Sequence, residues 1–334
     1  MTILQFLIRT GIIPVSEEDN GDWKFKFLSY KTVVAYILWF IIPAAIPVKN
    51  LIADFILNMA LFQQNSTVVQ MTSLVFLVMR IIIPFASPIL VSNIVEKAKL
   101  DPSAKSITKM PWIIAFVLTN FATIAISVYH MINQNFNYVW ISQTAINISF
   151  TCNSTIIMLI VNLVCNDLIE YVSTLENIQE VDILIEKSFT AVKKLQRVQK
   201  GFSPFLFFLL PYMFTFCIFY TYFICTGLLK NPEHVEGLIP LMPFTLSCLL
   251  FLCYIFSFCD ESCLALSSIS DKLRVFILEN DQTKEMEHQK LGLVIDMIES
   301  QKAFDAMGFF YVDKTTFMAM ISNLTAYLVI LMQF

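Results

Sequence analysis

Charge is what this chain has least of. Only 14% of its 334 residues are Asp, Glu, Lys or Arg, about half the share of roughly 25% usual in soluble domains. Between Met110 and Asn166 there is none at all. Glycine is scarce too, at seven residues, which leaves little material for phosphate-cradling loops. The three His (130, 234 and 288) are scattered and no Cys-x-x-Cys pair exists, so no metal site is suggested. The eight Cys fall within or beside apolar runs, which argues against a disulfide framework. Cys259 and Cys263 stand one helical turn apart, and packing thiols are the expected reading over a metal or acyl site. No cofactor is expected. Against these absences stand 57% hydrophobic residues, 31 Phe and a mean hydropathy of +0.69. A soluble domain cannot bury so much apolar side chain and still cover its surface with polar groups. The composition excludes a soluble enzyme, a nucleic-acid binder and a disordered scaffold. The net charge of −4 says little about partners.

A helix needs about 20 mostly apolar residues to cross the hydrocarbon of a bilayer. Seven such runs are expected: Thr32–Val48, Gln70–Asn93, Met110–Tyr129, Val139–Cys165, Phe202–Leu229, Leu238–Cys259 and Gly308–Phe334. The polar break His130–Asn137 predicts a tight hairpin between the third and fourth. Pro43 and Pro47 kink the first, and Leu51–Phe62, which carries Asp54, extends it or lies at the interface. Residues 1–31 form a cytoplasmic lead-in rather than a secretory signal, because Arg9 follows the short apolar patch instead of preceding it. Trp23, Lys24, Phe25, Lys26 and Phe27 make an anchor at the headgroups.

Orientation follows from Lys and Arg in the loops. Eighteen lie in the lead-in and in the 2–3, 4–5 and 6–7 loops, against Lys49 and Lys230 in the opposite set. The expected fold is therefore an all-α membrane protein with seven transmembrane helices, a cytoplasmic N-terminus and an extracellular C-terminus. That is the reverse of a G-protein-coupled receptor, and neither Asp-Arg-Tyr nor Asn-Pro-x-x-Tyr occurs where such receptors carry them. With the chain ending at Phe334, no tail for intracellular coupling is expected. The division read from the pattern is lead-in 1–31, segments 1–4 in 32–165, a cytoplasmic helical loop at 166–201, segments 5–6 in 202–259, a cytoplasmic helical anchor at 260–307 and segment 7 in 308–334. Both cytoplasmic loops show apolar residues at spacings of three and four, so helices there should extend segments 4, 6 and 7 and pack together. Stripes left over after that packing would serve subunit contacts. The sequon at Asn65 falls outside in this topology and is a glycosylation candidate.

The last 31 residues run from Phe304 through Gly308-Phe309 to Tyr327, five apolar residues, then Gln333-Phe334. This resembles the C-terminal signature of the insect gustatory receptor family, related to the odorant receptors: Thr-Tyr, five apolar residues, Gln-Phe. One position departs, since Ala326 precedes Tyr327 and Thr325 stands one place earlier. The resemblance implies a ligand-gated, non-selective cation channel built as a homotetramer, with segment 7 of each subunit lining a central pore. It implies a gate at Ile330 and Gln333, with Tyr327 nearby. Physically, a ring of Ile side chains can block conduction by dewetting, and Gln amides can replace part of a cation's hydration. Without the resemblance Gln333 reads as a helix-end amide at the interface. Asp313 reads either as a cytoplasmic anchor beside Lys314 or as a vestibule acid attracting cations.

Segment 4 is unusually polar. Thr144, Asn147, Thr151 and Ser154 share one helical face, which either bonds across helices or lines a wet cavity. Trp140 and Gln143 sit at its outer end, and segments 5 and 6 add Phe219, Tyr220, Tyr222 and Phe244. Aromatic walls with a few amides and hydroxyls suit a small organic ligand. Arg80 is the one charge deep in a span, where an unpaired cation costs several kcal/mol. It is expected to border a water-accessible part of that pocket, so Arg80→Met should lower ligand potency, read from dose–response curves of the surface-expressed protein. The expected partners are a small-molecule tastant, monovalent and divalent cations, the lipid membrane, and copies of this chain or related receptor subunits, with no nucleic acid. The expected site is the plasma membrane. Competing readings are a secondary transporter, a receptor signalling through a partner, and a channel-inactive relative. A transporter usually shows internal repeats, and none is found.

Overall fold

A computed structural model describes residues 3–17, 23–26, 29–37, 87–99, 110–133, 138–175, 178, 180–230, 241–279, 285–301 and 304–332. Its elements are α1 (Ile3–Arg9), β1 (Val15–Glu17), β2 (Trp23–Phe25), α2 (Tyr30–Tyr36), α3 (87–98), α4 (Met110–Asn133), α5 (Tyr138–Leu175), α6 (Val181–Lys230), α7 (Leu241–Glu279), α8 (Glu285–Glu299), β3 (Phe304–Asp305), β4 (Tyr311–Val312) and α9 (Lys314–Met332). The protein is mostly helical, as the sequence predicts. Among the described residues, four helices are long and apolar enough to cross a membrane: Pro111–Asn133, Phe150–Leu175, Asp182–Tyr222 and Met242–Leu278. They overlap the third to sixth apolar runs. Most of segment 1, and segment 2 before residue 87, lie outside the described residues.

The membrane helices do not stop where the charges begin. α5 runs 38 residues and α6 runs 50, or about 75 Å at 1.5 Å per residue, more than twice the hydrocarbon thickness. Residues 166–175 thus continue segment 4, and α7 likewise carries segment 6 down to Glu279. One arrangement differs from the expectation. The helix after Val181 is continuous with segment 5, whereas segment 7 has no downward extension. Instead α8 ends at Glu299 and the β3–β4 hairpin intervenes. The hairpin turns through Met307 (φ 54) and Gly308 (φ 79), so the helix predicted from Gly308 begins at Lys314. A positive φ comes at little cost to glycine, and Met307 is held in place by donating its backbone N–H to Ser203 Oγ at 2.8 Å.

The junction between α5 and α6 is tied down by a cation. Lys272 Nζ of α7 donates to the carbonyls of Leu175 (3.0 Å) and Ile178 (3.2 Å), orphan acceptors at and just past the C-terminus of α5. Lys194 pairs with Asp167 at 2.8 Å, and Arg274 pairs with Glu299, linking α6 to α5 and α7 to α8. Beneath these polar links Leu175, Leu184, Leu195, Leu273, Leu291 and Ile295 are buried together. The charged ends of α5, α6 and α7 and the helix α8 therefore pack together within one chain.

Two glycines permit close approach. At Gly11 (φ 77) a Cβ would meet the backbone carbonyl carbon of Lys31 at 2.5 Å, so the lead-in folds onto α2 only with glycine there. At Gly201 on α6 a Cβ would stand 3.1 Å from the Cα of Ile94. The same contact lets Asn93 Nδ2 donate to the Gly201 carbonyl at 3.2 Å, fixing α3 against α6.

Candidate functional site

Two regions gather the residues singled out by the sequence: an aromatic and polar interior between α4, α5, α6 and α7, and the outward surface of α9.

The interior is built from rings on four helices. Phe244 of α7 is buried, with ring centroids 4.8 Å from Phe150 (α5), 4.9 Å from Tyr220 (α6) and 6.0 Å from Phe216 (α6). Phe150 reaches Phe116 of α4 at 6.3 Å, and Phe116 reaches Phe251 at 6.1 Å. The tilted and edge-on angles between these rings are the favoured ones for quadrupolar faces. Tyr220 and Phe244 are thus brought together; Tyr222, two residues along α6, is half-buried.

Polar groups run alongside. Thr144 and Asn147 of α5 are buried, and Asn147 Nδ2 donates to Ser127 Oγ of α4 at 3.1 Å. Ser247 of α7 donates to Asn120 Oδ1 of α4 at 3.3 Å. In a bilayer such bonds are worth about 0.6–2 kcal/mol each, because lipid offers no alternative partner. Asn147→Ala should therefore lower thermal stability by about 1 kcal/mol, seen as an earlier midpoint of unfolding in detergent. Trp140 and Gln143 belong to the first two turns of α5. Arg80 and Asn65 lie outside the described residues.

The sequence pattern left several members of this interior unmarked. Asn120, Thr123 and Ser127 follow at three and four along α4, a polar stripe that the same spacing argument used for segment 4 would have found. A second network was not legible at all. Deep between α5 and α7, Asn166 Nδ2 donates to Asn162 Oδ1 (2.6 Å), Asn162 Nδ2 donates to Tyr254 Oη (3.0 Å), and Tyr254 Oη donates to the Met158 carbonyl (3.0 Å). Tyr254 looks like one more ring in an aromatic run until its partners are known.

α9 differs from every other long helix. None of residues 314–330 is buried. It packs chiefly on α6 and α7 through one face, where Phe317, Met320 and Leu324 are half-buried and the Phe317 ring stands 5.2 Å from Phe256. Tyr327, Val329 and Ile330 are about half exposed, at 54%, 54% and 50%. Gln333 lies just beyond the described residues. The base of α9 is fixed on both sides. Asp313 Oδ1 accepts from Thr316 N at 2.7 Å as its N-cap, and Lys314 pairs with Asp260 of α7 at 2.7 Å.

Comparison with known proteins agrees with this architecture. Residues 191–334, which hold most of α6 and everything after it, match the family described as 7tm Chemosensory receptor. No curated protein matches the chain. Among solved structures, the insect olfactory receptor OR5 from Machilis hrabei in complex with eugenol aligns over 98% of both chains, with a TM-score of 0.56 and 12% identity. A second structure of OR5 from the same organism aligns equally widely, with a TM-score of 0.57 and 11% identity. At such identity the likeness carries the fold. The resemblance to insect-type chemoreceptors read from the C-terminal signature is borne out by the family match over residues 191–334 and by the fold of the whole chain.

Proposed function

We propose that this chain, whose residues 191–334 carry a chemosensory receptor domain, is one subunit of a gustatory, ligand-gated, non-selective cation channel in the plasma membrane. Four copies surround one ion path lined by α9, with Ile330 and Gln333 closing it and Tyr327 nearby. A small organic tastant binds among α4 to α7, against Thr144, Asn147, Tyr220 and Phe244, with Trp140, Gln143, Tyr222 and Arg80 as further members. The orientation follows the basic-loop count: N-terminus cytoplasmic, C-terminus outside.

The observation that carries this reading is the exposure of α9. A helix of 19 residues spans about 28 Å, close to the hydrocarbon thickness. Lipid exposure alone would favour a uniformly apolar outer face. The face opposite Phe317, Met320 and Leu324 instead carries Thr315, Ser322, Ala319 and Ala326, small or hydroxylic residues suited to a water-filled path shared between copies. The eugenol complex of OR5 supports the idea that this fold receives small organic molecules.

The test is to express the chain alone and record membrane currents while applying sugars, bitter compounds and small phenols. The expected result is a ligand-evoked current reversing near zero. Uptake without current would instead favour a transporter.

Asp313 is separable from its cap by choice of replacement. Asparagine caps a helix about as well as aspartate, whereas alanine costs about 1 kcal/mol. Asp313→Ala should therefore destabilise the protein in thermal unfolding. Asp313→Asn should leave stability intact and lower the single-channel conductance, if the carboxylate also draws cations into the vestibule.

A further inference from the structure

Where the second and fifth apolar runs end, apart from both regions above, the fold gathers cations. Lys97 stands just past the run Gln70–Asn93, and Arg197 and Lys200 stand just before the run Phe202–Leu229. These two boundaries meet at Gly201. A Cβ there would lie 3.3 Å from the Cβ of Lys97, so Lys97 leaves α3 beside the backbone of α6. Arg197 lies one turn before Gly201 on the same face of α6, and Lys200 is its neighbour in sequence. Lys97, Arg197 and Lys200 are all exposed. Among the described residues none of the three has an ion-pair partner, not even Glu96 next to Lys97. Lys194 does not join them, because Asp167 neutralises it.

The second observation is what lies on the apolar side of these cations. On α6 the face of Arg197 and Gly201 continues through Pro204 to Phe208 at spacings of three and four, and Phe208 is 52% exposed. On α3 Ile89 lies about two turns before Lys97 on the same face and is 46% exposed. Asn93, midway between them, makes the bond to the Gly201 carbonyl that fixes the two helices together. One seam therefore carries cations at one end and a bare ring and aliphatic chain at the other. A soluble anion matches only the first end, and bare hydrocarbon only the second. A phospholipid matches both, since it joins a charged headgroup to acyl chains.

Charge decides the headgroup. In phosphatidylserine the ammonium and the carboxylate cancel, so its single phosphate would leave most of this positive charge unmatched. A headgroup with two or more phosphates matches it in both charge and donors. Arg offers a fork that binds phosphate bidentately, and each Lys adds a point charge with three N–H donors. Basic pockets between membrane helices on the cytoplasmic side suit such headgroups. We propose that the seam between α3 and α6 binds one phospholipid with a multiply phosphorylated headgroup. Lys97, Arg197 and Lys200 hold its phosphates, and Ile89 and Phe208 lie along its acyl chains. The assignment to the cytoplasmic leaflet rests on the orientation proposed above; the site itself does not depend on channel activity.

The test is titration of the purified full chain in detergent against a fluorescent dioctanoyl phosphatidylinositol bisphosphate, read by anisotropy. Saturable binding is expected. Each of Lys97→Gln, Arg197→Gln and Lys200→Gln should weaken it about fivefold, and the triple variant should abolish it. Lys187→Gln, which removes an exposed cation about three turns before Arg197, should leave it unchanged. Dioctanoyl phosphatidylserine should compete about tenfold more weakly, and so should inositol trisphosphate, which has the phosphates without the chains. Should the triple variant fail to fold, Phe208→Ser tests the apolar end and should weaken lipid binding several-fold. Absence of saturable binding, equal competition by phosphatidylserine or by inositol trisphosphate, or full affinity in a folded triple variant or a folded Phe208→Ser protein would each overturn the proposal. None of these readouts requires current through the protein, and an N-terminal epitope probed on intact cells reads the orientation separately. Failures of the site, the channel and the topology are thus told apart.

Discussion

Ile330→Ala should open a leak: current without ligand rises about tenfold, and the unfolding temperature does not move. The two halves of this expectation rest on the same fact. Ile330 is half exposed on α9 and lies away from the Phe317, Met320 and Leu324 face that packs on α6 and α7. Ile330 is not among the side chains packed against the core, so the stability change should stay within about 0.5 kcal/mol. In the proposed channel, however, every copy around the shared axis would withdraw three carbons from the same ring. A hydrophobic constriction that excludes water loses that power as it widens. A change of only ~1.4 kcal/mol in the balance of closed and open states is a tenfold change in their ratio. Leu324→Ala is the contrasting case. Leu324 packs within the subunit, so that variant should unfold earlier without a comparable leak. Patch recordings beside thermal unfolding separate the two. Unchanged basal and evoked currents in surface-expressed Ile330→Ala protein would remove Ile330 from the gate.

How far the sequence anticipates this molecule depends on which physical signal marks each feature. The apolar runs mark helices well because burial in lipid and in the core both demand them, and the four long apolar helices among the described residues overlap the third to sixth runs. Charges mark the membrane boundary, but a helix has no reason to end at water. No Gly or Pro falls between Tyr138 and Leu175, and the three-and-four spacing continues past Asp167 and Glu170 to the end of α5. The same charges that signal a loop are simply the solvated face of a longer helix. The β3–β4 hairpin was illegible for the opposite reason. Gly308, Phe309 and Phe310 read as the first turn of segment 7, yet Phe304 packs edge-on against Phe202 at 5.8 Å, and Met307 leans on Ser203. Both partners lie about a hundred residues away. In the interior, individual polar residues such as Asn147 and Asn162 stand out against an apolar background, while their partners Ser127 and Tyr254 are chosen by helix packing that no local pattern encodes. The family signature located α9 by motif; its exposure is the structural complement.

The largest loss of stability should come from Phe244→Ala. Phe244 is the hub of the interior, within 4.8–6.0 Å of Phe150, Tyr220 and Phe216 and buried among them. In a soluble protein such a truncation costs about 3–5 kcal/mol, part of it the lost transfer from water and part the cavity left behind. Inside a bilayer the transfer part shrinks, because lipid is as apolar as the core. The cavity and lost dispersion remain, so about 2–3 kcal/mol is expected, well above Asn147→Ala. For a chain of this size that corresponds to a fall of about 3–4 °C in unfolding temperature. Phe244→Leu keeps most of the volume and should recover over half the loss. The same pair of variants bears on the ligand. If the tastant sits against these rings, Phe244→Leu should fold normally and still shift the dose–response curve. If the cluster is only a core, potency should follow stability, with Leu restoring both. A folded Phe244→Leu protein with unaltered potency would move the binding site away from α7.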